Sequence, residues 1–400
     1  MNVWIEAPFD NLPAEGYRPQ RYWLMAEAFA ACAHPTVLWT SDFSHAAKRP
    51  RRLDGSERAA AFRLELVPTR PYRRNLSLGR ILSHRAYAAE WERRAIAAVA
   101  LGELKPPELI VAANPPVGAA AAAVRLARRF GARVAIDIQD AWPENFDRLL
   151  PRGLRWAGRL LFAPLYREIA GAYRAAELVT GVSDRYAALA ARAGARRFVR
   201  AYHGISLDGA PPLARPWTHG PIRVVYAGSF GHGYDLAPAI RGLVELPEGS
   251  HLTLAGSGPL GKRWQRLAAR VAPGRVTFAG YLARAELERL LGESDVGVIP
   301  LADESFVGLP YKLGDYVRSG LRVVSSLGGE CAEKLARYGA GVAYLRGDAH
   351  SFARAVRAAA ALPPDASRAL AEAELDARKI YREYVGLFAP LGSASRKNMV

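Results

Sequence analysis

The chain opens on a short apolar run, Val3-Trp4-Ile5, followed by the polar segment PFDNLPAEGYRPQRY and an apolar stretch at helical spacing from Tyr22 to Ala33. Strand, loop and helix in that order form the opening unit of a doubly wound sheet. Apolar runs at Thr36 to Thr40, Phe62 to Val67, Leu109 to Ala113 and Arg133 to Ile138 predict further strands, and Ala119 to Phe130 predicts a helix. These runs are continuously apolar rather than alternating, the pattern of a parallel sheet covered on both faces. After Arg200 the segment AYHGISLDGAPPLARPWTHG is dense in Pro and Gly and holds no periodicity, which marks a linker.

A second series follows. Strands are expected at Arg223 to Ala227, His251 to Ala255, Val276 to Ala279, Val296 to Pro300 and Arg322 to Ser325. Helices over Ala237 to Val244, Lys262 to Ala272, Arg284 to Leu291 and Pro310 to Arg318 alternate with them. The fold class is therefore α/β, with two Rossmann-like domains facing one another. A last helical stretch, Ser367 to Phe388, exceeds what the second sheet needs and is expected to cross back. The expected division is 1–205 plus a C-terminal helix over 372–392 for the first domain, and 206–371 for the second.

Four hundred residues, half of them hydrophobic, suit two cores better than one. No stretch reaches the roughly 18 apolar residues of a membrane span, and MNVWIEAPFD lacks the basic flank of a signal peptide, so a cytoplasmic chain is expected. Cys32 and Cys331, far apart, suggest buried reduced thiols rather than a disulfide or metal cluster. The net charge is +17, and residues 1–200 hold 31 Lys and Arg against 19 Asp and Glu, whereas the remainder holds 24 against 19. Such asymmetry points to an anionic partner for the first half, either a phospholipid surface, a phosphorylated lipid carrier or nucleic acid; an Arg-preferring genome is the competing explanation.

A diphosphate needs backbone N–H groups free of side-chain obstruction, which glycine turns at helix N-termini supply. Three places qualify: Gly16 after the first strand, the run Gly228-Ser229-Phe230-Gly231-His232-Gly233, and Gly256-Ser257-Gly258. The segments VVYAGSFGHGYDL, LTLAGSGP, VTFAGYLARAELERLLGESDVGVIPL and PYKLGDYVRSGLRVVSS resemble, in order and spacing, the C-terminal domain of retaining glycosyltransferases of family 4. IDIQDAWPE and ELVTGVSDRYAALAARAG resemble the N-terminal domain of the same family, so the resemblance runs from about Asn2 to Leu387.

That resemblance implies the GT-B architecture and a nucleotide-sugar donor. Asp315 stands where the family has a Glu that takes the nucleotide's ribose hydroxyls. The partner acid eight positions earlier falls on Val307, so Asp303 or Glu304, or the backbone N–H groups of Val307, Gly308 and Leu309, are left to hold the sugar. Ser229 and His232 occupy the places of an Arg and a Lys that neutralise the leaving diphosphate. A cation must then come from elsewhere, and Lys312, on the same helical face as Asp315, is the candidate; a surface lysine is the alternative. Asp140 ends a strand and precedes Trp142-Pro143-Glu144, as base, acceptor ligand or turn cap; Asp137 reads as structural.

No two aspartates lie two apart, so the Asp-x-Asp metal device is missing and neither metal nor cofactor is expected. Three basic stretches, RPRR at 49–52, TRPYRRNLSLGRILSHR at 69–85 and PRGLRWAGRLLFAPLYR at 151–167, mix Arg with aromatic and aliphatic residues. In the last, Arg152, Arg155 and Arg159 recur beside Trp156, Leu160 and Leu161, the composition of a segment on anionic lipid or of Arg packed over a core helix. The expected function is transfer of a sugar to a lipid-linked or surface-polysaccharide acceptor at the inner membrane face. A nucleotide-sugar epimerase and a catalytically weak sugar-nucleotide-binding subunit are the alternatives, and no nucleic-acid motif is present.

Overall fold

A computed structural model describes residues 1–73, 77–147, 150–211, 217, 219–302 and 307–389. The chain divides into two compact units, Met1–Gly204 with the chain from Ala377 onward, and Ile205–Asp376.

The first unit is built on seven strands: β1 (Val3–Glu6), β2 (Thr36–Ser41), β3 (Arg63–Val67), β4 (Leu109–Asn114), β5 (Arg133–Ile138), β6 (Leu178–Gly181) and β7 (Phe198–Arg200). Their order across the sheet is β3-β2-β1-β4-β5-β6-β7, all pairs parallel. Every residue of β1, β2, β4 and β6 is buried, which is why their sequences are largely apolar.

The second unit repeats the plan with β8 (Arg223–Ala227), β9 (His251–Ala255), β10 (Val276–Gly280), β11 (Val296–Ile299), β12 (Arg322–Ser325) and β13 (Gly341–Ala343) in the order β10-β9-β8-β11-β12-β13. These pairs are parallel too. Both sheets are thus doubly wound, with the strand order reversing between β1 and β4 and between β8 and β11, and both units are Rossmann-like. Val224, Tyr226, Leu252, Leu254, Val296, Val298 and Trp264 fill the core of the second unit.

Three features depart from the sequence pattern. The longest helix, Leu78–Ala100, starts on Ser77, whose hydroxyl accepts the Arg80 N–H at 3.2 Å; its Arg- and Glu-rich sequence hides the helical stripe. The strands β7 and β13, three residues each, are too short to carry a pattern. The terminal stretch is not one helix. It runs as a helix over Pro364–Leu370, a π-turn over Ala371–Leu375, an extended Asp376 and a helix over Ala377–Gly386 that packs on helix Arg21–Ala31. Positions 390–392 of the expected helix lie outside the described residues.

Asp137 is structural. It is fully buried and receives Arg21 Nε at 2.7 Å, Arg21 Nη2 at 2.8 Å and the Tyr22 hydroxyl at 2.9 Å. Burial alone would raise this carboxyl, but the Arg21 charge and hydrogen bonds outweigh it and hold it below the usual range. The thiol expectation needs one correction: Cys331 is buried and pushed up to about 12 by that burial, whereas Cys32, at the end of its helix, is exposed. The RPRR stretch needs another, because Arg51 is not a surface cation. Its guanidinium is buried on Glu15, the Ser41 carbonyl and the Asp10 carbonyl. Among the described residues no helix is long and apolar enough to cross a membrane.

Candidate functional site

In the second unit, β8 ends at the switch point of its sheet, where ligands of doubly wound folds bind beyond the carboxyl ends of the strands. Gly228 follows it at φ 149° and donates its N–H to the Ala255 carbonyl at 2.9 Å. Gly256, at φ 137°, has no room for a side chain, since a Cβ would stand 1.9 Å from the Gly228 carbonyl oxygen. At Gly258 a Cβ would lie 2.7 Å from the carbonyl carbon of Phe230. The two turns are further tied by Phe230 N–H to the Ser257 carbonyl at 2.9 Å and Leu260 N–H to the Phe230 carbonyl at 3.0 Å. Glycine at 256 and 258 is therefore demanded by turn-on-turn packing, while Gly228 packs against Lys312 and Tyr226, whose Nζ and hydroxyl oxygen would each be 3.1 Å from a Cβ there.

Lys312 lies in the first turn of helix Tyr311–Arg318. Tyr316, farther along, locks that helix in place: its hydroxyl accepts Ala227 N–H at 2.9 Å and donates to the Val298 carbonyl at 3.3 Å. Gly297 makes room for this, since a Cβ there would sit 2.6 Å from the Tyr316 ring. Lys312 is only 8% exposed. Its Nζ lies 3.4 Å from the Tyr226 hydroxyl and 3.5 Å from the centre of the Tyr234 ring. Burial pushes the ammonium down to about 7, against the opposing pull of Asp315. A surface lysine is thereby excluded: this is a desolvated cation held by aromatic faces beside a glycine turn.

Gly228, Ser229, Gly256, Gly258, Lys312 and Asp315 thus belong to one unit, grouped around the end of β8 and the start of helix Tyr311–Arg318. Asp315 is half-buried one turn beyond Lys312, and Gly308 and Leu309 are buried just ahead of the helix. Ser229 is exposed, and its carbonyl receives the Tyr226 hydroxyl at 2.7 Å. His232 is exposed and lines a cavity of about 440 Å³ with Tyr234, Asp235, Arg263, Trp264 and Arg346. Asp303 and Glu304 lie outside the described residues. Arg263 and Arg346 were not anticipated. The signal was Lys262-Arg263 in the first turn of the helix after Gly258, where cations oppose the helix dipole.

Gly16 and Asp140 belong to the first unit. Gly16, at φ 81°, closes the 3-10 turn Pro13–Glu15 and stands five residues before helix Arg21–Ala31, so it is not at that helix's N-terminus as expected. Asp140, two residues beyond β5, lines a cavity of about 280 Å³ with Phe9, Asp10, Tyr22, Arg80 and Gln139. Its Oδ1 accepts Ala141 N–H at 2.9 Å and the Asn145 amide at 2.7 Å, so it caps the turn as well as facing the cavity. Burial raises its carboxyl, while those two bonds and the Arg80 charge pull it down. Arg80 is stacked over Trp142, 4.6 Å from the ring centre, and donates Nε to His84 at 3.2 Å. Burial drives both His84 and His45 to about 3, so they are neutral at pH 7 and Arg80 is the fixed cation of this wall.

Two family descriptions match the chain, a glycosyl transferase 4-like domain over residues 19–203 and glycosyl transferases group 1 over residues 221–361. Comparison with curated proteins gave no match. Among solved structures, HepE of Anabaena in complex with UDP matches at TM-score 0.68 and 16% identity, over 97% of this chain and 99% of that one. Sucrose-phosphate synthase of Thermosynechococcus elongatus matches at TM-score 0.70 and 14% identity, over 97% and 98%. The galactosyltransferase WaaB of the lipopolysaccharide outer core matches at TM-score 0.63 and 13% identity, over 97% and 99%. With both units accounted for by these descriptions and by the shared fold, the chain belongs to the GT-B glycosyltransferases, its first unit a glycosyl transferase 4-like domain and its second a group 1 domain.

Proposed function

We propose that this glycosyltransferase moves a sugar, with retention of configuration and without a metal, from a nucleoside-diphosphate donor to a lipid-linked or surface-polysaccharide acceptor at an anionic membrane surface. The observation that carries the reading is Lys312. A lysine desolvated among tyrosines and packed against the Gly228 turn is poised for an anion, and the diphosphate of a nucleotide sugar is the anion such a transferase must hold. The HepE structures carry UDP or UDP-glucose on a similar fold, which supports the donor class.

In this reading Asp315 accepts the ribose hydroxyls, the Ser229 N–H, between the committed N–H groups of Gly228 and Phe230, serves the phosphates, and Gly308 and Leu309 border the sugar. Lys312 neutralises the charge that grows on the phosphate oxygen as the bond from the anomeric carbon to it breaks. The acceptor oxygen bonds to that carbon on the same face and its proton passes to the leaving phosphate. Asp140 orients the acceptor hydroxyl in the first unit. Mass-resolved transfer from a panel of nucleotide sugars to a lipid-linked acceptor pool tests the reaction; Asp315→Ala should abolish donor-induced thermal stabilisation without unfolding the chain, and unchanged stabilisation removes that residue from the site.

A second reading, a sugar-nucleotide-binding subunit with little turnover, is favoured by Val307 and by the exposed Ser229 and His232 where the resemblance implies acid and cations. Strong donor-induced stabilisation with no transfer to any acceptor and no released sugar would select it.

A further inference from the structure

Within the segment 151–167 the part up to Leu161 is not laid over a core, whereas from Ala163 the chain enters a helix that buries Ile169, Ala172 and Tyr173. Helix Arg155–Leu161 buries one residue, Gly158, whose absent Cβ would lie 2.8 Å from Asp147 Oδ1 and 3.2 Å from Leu150 Cδ1. The helix rests on the protein along its Gly158 edge, with Arg155 half-buried beside it, and its large apolar side chains point to solvent. Leu154 is 51% exposed, Trp156 66%, Leu160 70% and Leu161 68%. Helices of globular proteins turn the apolar stripe inward, and this one turns it outward.

The charges on the segment are of one sign. Residues 151–167 contain four arginines and no acid. Arg159 is 77% exposed and reaches Asp147 only at 4.0 Å, an ion pair too loose and too wet to neutralise it. A solvent-facing apolar cluster flanked by the exposed Arg159 and Arg167 fits a bilayer carrying anionic headgroups: the Leu and Trp side chains enter the acyl boundary while those guanidinium groups meet phosphates. A soluble protein partner of matching shape would need acidic residues and a concave face, and a second copy would set arginine against arginine.

We infer that Leu154–Leu161 is the membrane-docking element of the chain, with an anionic phospholipid surface as its partner. This rests on the proposed membrane-side acceptor for its purpose, but its physical test is separate. The full chain is sedimented with vesicles of phosphatidylcholine alone and with vesicles containing about 30% phosphatidylglycerol, at low and high salt. Wild type should bind the anionic vesicles, release at high salt and ignore the neutral ones. Leu160→Ser with Leu161→Ser should weaken binding by about tenfold or more, and Arg159→Gln should weaken it and flatten the salt dependence. Both variants should keep the wild-type melting temperature and its shift with nucleotide sugar, since neither touches a core or the glycine turns.

Absence of wild-type binding to anionic vesicles, or undiminished binding by the leucine variant, overturns the inference. So does a lipid-free dimer that the leucine variant converts to monomer, which would make the surface a self-association face. Vesicle binding that persists in a protein stabilised by no nucleotide sugar would leave the docking element standing and sink the proposed function instead.

Discussion

Replacing Lys312 by methionine separates the stability of the second unit from its binding capacity. The ammonium is pushed from 10.5 down to about 7, and this shift makes its burial cost about 4 kcal/mol at pH 7 and about 2 kcal/mol at pH 9. Methionine has similar length and no charge to desolvate. It forfeits the long bond to Tyr226 and the contact with the Tyr234 ring, together about 1–2 kcal/mol. The apo variant should then be more stable than wild type by about 2–3 kcal/mol at pH 7, a rise in melting temperature of about 5–10 °C for a unit of this size.

The dependence on pH carries the diagnosis. Because the folded-state value lies below the unfolded one, the unfolded chain holds more protons between about pH 7 and 10.5, and wild-type stability from this group rises with pH across that window. Methionine has no such dependence, so the gap between the two proteins should close to near zero by pH 9. The other groups around the ammonium do not blur this: burial raises the hydroxyls of Tyr226, Tyr234 and Tyr316, and among the described residues Asp315 is the acid that bears on it. Urea denaturation at pH 7, 8 and 9 reads the gap directly, and added nucleotide sugar reads binding, which should fall by roughly 10- to 100-fold with the lost charged contact. A variant less stable than wild type at pH 7, or a gap constant from pH 7 to 9, would refute the desolvated-cation argument.

Three further outcomes are expected. Asp140→Asn keeps the bonds from Ala141 and Asn145, so donor-induced stabilisation should be unchanged while transfer falls roughly 100- to 10,000-fold, measured as single-substrate turnover. Gly256→Ala drives a methyl into the Gly228 carbonyl at an unfavourable φ and should destabilise the second unit by at least about 3 kcal/mol in urea, with donor stabilisation lost at temperatures where the fold survives. Glu6 is fully buried, and burial raises its carboxyl to about 8, above the unfolded value, so wild-type stability is complete below pH 4.5 and falls as pH rises towards 8. Glu6→Gln should therefore stabilise the chain by about 3 kcal/mol at pH 7, with an advantage that widens at pH 8.5, the opposite trend to Lys312→Met.

Most of the fold was legible because parallel strands buried on both faces leave uninterrupted apolar runs, and β5, β8, β9 and β12 coincide with theirs end to end. What escaped detection lacked such a run: three-residue strands, and helix Leu78–Ala100, whose surface arginines mask its buried Tyr87, Trp91 and Ala95. The break at Asp376 depends on an extended backbone between two helix-forming stretches, which no local propensity announces. At the site, glycine turns were visible as turns, but the reason for Gly256 and Gly258 was not, since it lies in contacts with residues 228–230 brought close by sheet pairing. Lys312 showed only as a lysine at helical spacing from an acid; its burial depends on tyrosines 78 and 86 residues away. Arg80 read as part of a basic stretch and proved to be a cavity wall stacked on Trp142.

Amide hydrogen exchange of the full chain, with and without a saturating nucleotide sugar, tests the donor site most directly. Protection should concentrate in 228–231, 256–261 and 308–315, and Asp315→Ala should remove it. Protection confined to other segments, or none with any nucleotide sugar, would contradict the account.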